Sequence, residues 1–119
     1  MAKPSKCISV SEGQELCNNW QTSRAPVIKA ARNNQTDCCE FVFSMEELEE
    51  YIAYVKEMSN EQGVSNPGIR IYFAAYDNAK STNATVVLVP TNGASKNSEN
   101  NYSIDPFNTV IGGFPPKLY

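Results

Sequence analysis

The clearest hydrophobic pattern in the chain is a helical one that begins after Ser44 and ends before Gly63. Ser44 and Glu47 have the spacing of a capping box, and Gly63 is the kind of residue that adopts the left-handed conformation at a helix end. We therefore predict an amphipathic helix over residues 45–62. Its buried stripe, at three- and four-residue spacing, should contain Met45, Leu48, Ile52, Val55 and Ser59, with Tyr51 and Met58 beside it.

Two strand patterns follow this helix. Apolar residues alternate with Arg70 and Tyr72 over residues 69–76, and residues 85–89 are apolar or β-branched at every position. The loop between them is too short for the crossover that parallel strands need, so the strands should form an antiparallel hairpin. Residues 39–43 also alternate and could add a third strand. The predicted fold is α+β, a small antiparallel sheet packed on the helix.

A helix is also predicted near the N-terminus, from a second capping box at Ser9 to about Thr22. Residues 24–32 are either a short helix that starts near Pro26, where a helix tolerates proline, or an extended segment. The apolar side of the N-terminal helix is expected to hold Leu16, Cys17 and Trp20.

The second strand needs cover on both sides. Val86 and Leu88 point away from Val87 and Val89, because side chains alternate along a strand. One helix can cover only one of these faces. The other face is expected to lie against the N-terminal helix or against a second copy of the chain.

The C-terminal part of the chain changes character twice. We expect a single domain over residues 1–90 and a polar, flexible linker over residues 91–103, followed by an irregular arm over residues 104–119. Proline and glycine exclude a long helix or a central strand from the arm. We predict that Phe107 and Phe114 pack against the sheet of this chain or of a neighbour, as an interaction arm. The large apolar residues of the arm are Ile104, Phe107, Val110, Ile111, Phe114, Leu118 and Tyr119.

Charge and composition exclude several classes of protein. The formal net charge is −3 and the pI is about 4.9, with no basic stripe, so nucleic acid is not an expected partner. No apolar run approaches the length of a membrane span, so no membrane segment is predicted. The first residues lack the apolar region of a signal peptide. We therefore expect a cytoplasmic protein.

The residues that usually carry chemistry are sparse. The chain has no histidine, which removes histidine-dependent triads and metal sites from consideration. The four cysteines lack the paired spacing of a zinc site. The four residues are Cys7, Cys17, Cys38 and Cys39. We expect them to be reduced thiols, and the alternative is that they have a disulfide or redox role. No catalytic residue, metal site or cofactor is predicted.

One mixed face of the first strand is the remaining candidate site. Arg70, Tyr72 and Tyr76 combine a guanidinium group with phenols, which can hold an anionic or planar group and are also favoured in protein interfaces. We expect a non-enzymatic protein that acts through a protein partner or through self-association. The alternative is a small-molecule binding protein or an enzyme that uses this face. A deep pocket at Arg70 would favour the alternative, and a flat apolar patch would favour the interaction protein.

Three stretches of the core carry a resemblance. They are Ser-Met-Glu-Glu-Leu-Glu-Glu-Tyr-Ile at 44–52, Gly-Ile-Arg-Ile-Tyr-Phe-Ala-Ala-Tyr at 68–76, and Val-Leu-Val-Pro at 87–90. This arrangement resembles small uncharacterised bacterial proteins in which an acidic helix precedes a Gly-Ile-Arg-Ile-Tyr strand. The resemblance covers less than half of the chain. It implies an acidic helix packed on a hairpin, and it assigns no site residues.

Overall fold

A computed structural model describes residues 1–108 and 112–119. The described chain forms helices α1 (Val10–Ala31) and α2 (Met45–Glu61) and strands β1 (Gly68–Ala75) and β2 (Ala84–Thr91). The strands pair antiparallel, with Ile71 opposite Leu88. The predicted α+β fold and the predicted hairpin are confirmed.

Local signals set both ends of α2. The Ser44 Oγ accepts a hydrogen bond from the Glu47 N–H at 3.0 Å, which confirms the predicted N-cap. Gly63 has a φ of +77°, and the Val64 N–H donates to the Ser59 carbonyl at 2.8 Å. This is the six-to-one bond of a Schellman motif, which stops the helix at the predicted glycine.

The core lies between α2 and β2. It consists of buried residues from the helix, the strand and the C-terminal segment: Tyr51, Val55, Val86, Leu88 and Ile104. The predicted stripe is wrong at its edge, because the Met45 side chain is 72% exposed and Ile52 is also exposed. The buried side of α2 is instead centred on Tyr51, Val55 and Ser59. A helix placed over β2 alone buries a narrower stripe than one placed over a wider sheet.

The N-terminal segment is one continuous helix and does not end near Thr22 as predicted. Pro26 lies inside α1, where its missing N–H removes a single helical bond. The C-terminal end of α1 is held by Arg32, whose guanidinium contacts the Asp37 carboxylate at 3.3 Å and donates to the Asn83 Oδ1 at 2.9 Å. The helix itself has no buried residue. Most of its sequence therefore remains in contact with solvent.

Residues 39–43 do not form a third strand within the described chain. Phe41 makes only an isolated bridge with Gly112, and Phe43 packs against Phe107 with ring centroids 5.4 Å apart. Three residues of the predicted arm, Thr109, Val110 and Ile111, lie outside the described residues.

The segment that we predicted as a flexible linker folds back onto β2. Asn100 forms a bridge with Thr91, and the Asn101 N–H donates to the Pro90 carbonyl at 2.8 Å. Side-chain bonds add to this pairing, because the Asn101 amide donates to the Gln62 Oε1 at 2.7 Å and the Asn101 Oδ1 accepts a bond from the Ser103 N–H at 3.0 Å. Polar side chains that bond to the protein in this way are the reason why a polar composition did not mean a loose chain here. Whether residues 1–90 fold on their own stays a prediction.

Candidate functional site

The mixed face of β1 holds a loop of the same chain. The Arg70 guanidinium donates to the carbonyls of Lys96 and Ser98 at 3.1 and 2.9 Å, and also to the Asn100 side chain. The Tyr72 hydroxyl accepts a bond from the Asn100 amide at 2.8 Å. This loop, rather than α1, therefore lies against the face of the sheet that α2 leaves uncovered.

The third residue of that face is engaged in a similar way. The Tyr76 hydroxyl donates to the Asn108 Oδ1 at 2.8 Å, and the Asn108 amide donates to the Val86 carbonyl at 2.7 Å. The structure thus brings Arg70, Tyr72 and Tyr76 against the C-terminal third of the chain. Their role as a ligand or partner face stays a prediction.

The two aromatic residues of the predicted arm have different surroundings. Phe107 exchanges two backbone hydrogen bonds with Leu88, at 2.8 and 2.9 Å, and stacks on Tyr51 with ring centroids 4.6 Å apart. It therefore docks on the sheet of its own chain. Phe114 is 58% exposed and borders a shallow surface depression. Their use as an interaction arm stays a prediction.

The thiols differ in exposure. Cys7 and Cys17 are exposed, Cys39 is half-buried, and Cys38 is buried; all four are free. Burial raises the pKa of the Cys38 thiol, and the charge of the neighbouring Asp37 carboxylate raises it further. A raised pKa disfavours the thiolate, which is the nucleophilic form of a cysteine. Within the described residues, no group of three or more cysteine, aspartate or glutamate side chains could hold a metal ion.

A cleft separates α1 from the rest of the molecule. Two adjoining cavities of about 360 and 370 Å³ share Trp20, Ile28 and Cys38 in their walls. Few contacts join α1 to the rest of the described chain across this cleft. One of them is an edge-to-face pair of Trp20 and Phe73, whose ring centroids lie 6.1 Å apart. The walls combine apolar side chains with polar ones such as Asp37, and cavities of this volume are typical of sites for small molecules.

A row of apolar side chains on β1 lies exposed on the outside of the described sheet. Ile69, Ile71 and Phe73 are 37%, 64% and 84% exposed. Their partners on β2 are Pro90, Leu88 and Val86, which are all buried. The row lies on the face that α2 covers, but α2 reaches only as far as β2. We call these three side chains together with the outer edge of β1 the β1 surface.

The backbone at the outer edge of β1 is also unpaired. The Tyr76 N–H donates to the Asn83 carbonyl at 3.0 Å, so the backbone N–H and C=O groups of the even-numbered residues point toward β2. The odd-numbered residues Ile69, Ile71 and Phe73 direct their N–H and C=O groups outward, and these groups have no hydrogen-bond partner among the described residues. β1 is thus an open edge strand with apolar side chains.

Sequence reasoning identified the residues of the β1 surface as one apolar face of a strand in a sheet that packs on the helix. It missed their exposure, because alternation shows which side chains share a face and not how far a covering helix extends. None of the described helices has the length and apolar composition that a membrane span requires. Comparison of the chain with protein-family models, curated protein sequences and solved structures finds no match.

Proposed function

We propose that this chain is a non-enzymatic interaction protein and that the β1 surface is its contact. The observation that supports this proposal is the coincidence of two features on one strand. Three large apolar side chains are exposed, and the backbone groups beside them are unpaired among the described residues. Natural proteins usually protect such an edge with charges, proline or a covering segment.

The charge on the strand is consistent with this role. Arg70 is the one charged residue of β1, and its guanidinium is bound to the loop on the opposite face of the sheet. The outer edge therefore lacks the inward-pointing lysine or glutamate that discourages pairing with another strand. Burial of each exposed large side chain would contribute roughly 1.5–3 kcal/mol. The backbone hydrogen bonds of an added strand would contribute further affinity.

Site-specific photo-crosslinking in the organism that encodes the chain tests the proposal. A photoreactive amino acid at Ile71 should give one discrete adduct, and the adduct should disappear when Ile69→Lys is added. The matched control is Val42, an equally apolar residue that is 76% exposed outside the sheet. The same amino acid there should give no adduct. If Ile71 and Val42 behave alike, the β1 surface is not the contact.

A second candidate function is the binding of a small apolar molecule in the cleft beneath α1. The observation in its favour is the pair of cavities that share Trp20 and Cys38. The chain contains one tryptophan, so its fluorescence reports on this cleft. A saturable change in tryptophan emission on titration with an apolar dye, abolished by Ile28→Glu, would favour this function. An unsaturable change, equal in both proteins, would exclude it.

A cytoplasmic location is part of the proposal. The four free thiols support it, since exposed thiols such as Cys7 and Cys17 persist in reducing compartments. Labelling with a thiol reagent under denaturing, non-reducing conditions, directly after cell lysis, should find all four cysteines reactive. Recovery of two reactive thiols or fewer would point to an oxidising compartment.

A further inference from the structure

We infer that the partner of the β1 surface is a second copy of this chain, which pairs its own β1 antiparallel to the first across a twofold axis. The inference rests on the proposed function and adds the identity of the partner. It is carried by the backbone direction along β1 and by the order of side chains on that strand.

Backbone geometry sets which residues can pair. The outward-facing residues are the odd-numbered ones, Ile69, Ile71 and Phe73, as the Tyr76 to Asn83 bond shows. The same alternation holds on the far edge of β2, where Leu88, the partner of Ile71, bonds to Phe107. A twofold axis perpendicular to the sheet therefore pairs odd-numbered residues with odd-numbered residues. Both copies keep their apolar rows on the same face.

Side-chain order favours a pairing centred on Ile71. In this register Ile71 lies opposite Ile71 of the second copy, and Ile69 lies opposite Phe73 of the second copy. Aromatic and β-branched residues are favourable cross-strand neighbours. Arg70 lies opposite Tyr72 of the second copy, so the one charged residue of the strand meets a phenol instead of a like charge. The edge is thus complementary to itself.

The result would be a continuous four-stranded sheet with β1 of each copy at its centre. The apolar rows of the two copies would lie side by side between the two α2 helices. Pro67 directly precedes β1 and has no N–H, so it marks the end of the new ladder. The hydrogen bonds between Arg70 and its loop are on the opposite face of the sheet and can remain in place.

Sedimentation equilibrium of the full chain tests the inference. The particle mass should rise with concentration from that of one 13.2 kDa chain to twice that value. Ile71→Lys places like charges directly opposite each other and should weaken the dimer about a hundredfold or more. Val42→Lys, the matched control, should leave the dimer unchanged. Circular dichroism and thermal unfolding confirm that each variant is folded.

Disulfide trapping tests the register without relying on a disruptive variant. In a background with Cys7, Cys17 and Cys39 replaced by serine, Ile71→Cys should form an intermolecular disulfide. Residues in a hydrogen-bonded pair have Cα atoms roughly 5.5 Å apart, which suits a disulfide. Phe73→Cys is the control, since its counterpart would lie roughly 13 Å away along the strands.

Each outcome decides between the alternatives. A concentration-dependent dimer that Ile71→Lys abolishes and that Ile71→Cys traps supports the inference. Trapping by Tyr72→Cys instead of Ile71→Cys contradicts the proposed register. A monomer at every concentration, without trapping, removes the second copy as partner. In that case a discrete photo-adduct of Ile71 with a different protein would leave the proposed function intact, and the absence of any adduct would overturn both.

Discussion

The two strands of the hairpin have similar sequences and opposite surroundings. Ile71 on β1 and Leu88 on β2 are paired across the two strands, and their side chains point to the same face of the sheet. Their exposed fractions are nevertheless 64% and 5%. β2 lies beneath α2 and is bordered by Phe107 on its other edge. β1 has neither neighbour among the described residues. Position relative to the helix, and not the hydrophobicity of the side chain, decides which strand is buried.

The largest expected effect is on the buried strand. Leu88→Ala should lower the free energy of unfolding by about 2–5 kcal/mol, because it leaves a cavity beneath Tyr51. Ile71→Ala should change it by less than about 0.5 kcal/mol in the monomer, since the side chain is exposed. Urea denaturation at low protein concentration measures both values. Equal losses for the two variants would contradict the contrast between the strands.

A second prediction separates the two faces of β1. Arg70→Ala should lower the free energy of unfolding by about 1.5–3 kcal/mol, because the guanidinium holds two carbonyls and an amide of the loop. Amides at residues 92–101 should then exchange faster. Arg70→Lys is the conservative control and should recover only part of the loss, since an ammonium cannot make the same fork of bonds. Unchanged exchange would show that Arg70 does not hold the loop.

The Tyr51 hydroxyl allows a test on the side of the sheet that α2 covers. It donates to the Asp105 carbonyl at 2.9 Å, so Tyr51→Phe should cost about 1–2 kcal/mol by leaving that acceptor unpaired. Urea denaturation of the variant and of the parent chain measures the difference. A cost near zero would mean that water replaces the hydroxyl at Asp105.

The pKa of the same hydroxyl predicts that the free energy of unfolding depends on pH. Burial raises the pKa of Tyr51 to about 12, above the ordinary value of about 10. The folded chain therefore keeps a proton that the unfolded chain loses first. The contribution of the protonated Tyr51 hydroxyl to the free energy of unfolding is present below pH 10 and is lost as the pH rises toward 12. Unfolding between pH 9 and 12 should be less pH-dependent in Tyr51→Phe than in the parent chain.

The smallest effect compares two helix caps of equal geometry. Ser44 and Ser9 accept bonds from residues three positions later, at 3.0 and 3.1 Å. Ser44→Ala should cost about 1 kcal/mol, because α2 is part of the core. Ser9→Ala should cost less in global unfolding, since α1 has no buried residue and can fray on its own. Equal shifts in the urea midpoint would show that α1 unfolds together with the core.

Sequence reasoning succeeded where a few neighbouring residues decide the outcome. The cap at Ser44 and the stop at Gly63 were predictable, because each depends on a bond that spans a few positions. The antiparallel hairpin was predictable because its loop is too short for a parallel crossover. It was less successful for α1, because Pro26 was interpreted as the start of a separate short helix or as part of an extended segment, whereas the loss of one N–H is tolerated inside this continuous helix. The candidate face was predicted as a group. Its engagement with Asn100, thirty residues further along from Arg70, was not.

By itself the sequence determined α2 with both of its ends, the antiparallel hairpin and the side chains that share a face. Only the tertiary structure decided which faces are buried. Met45, Ile52 and Ile71 belong to apolar patterns and are exposed, because α2 covers β2 and extends no further. Periodicity is a property of one element, whereas burial depends on the distance between elements. That distance is set here by long-range contacts such as those of Phe107 with Leu88 and Tyr51.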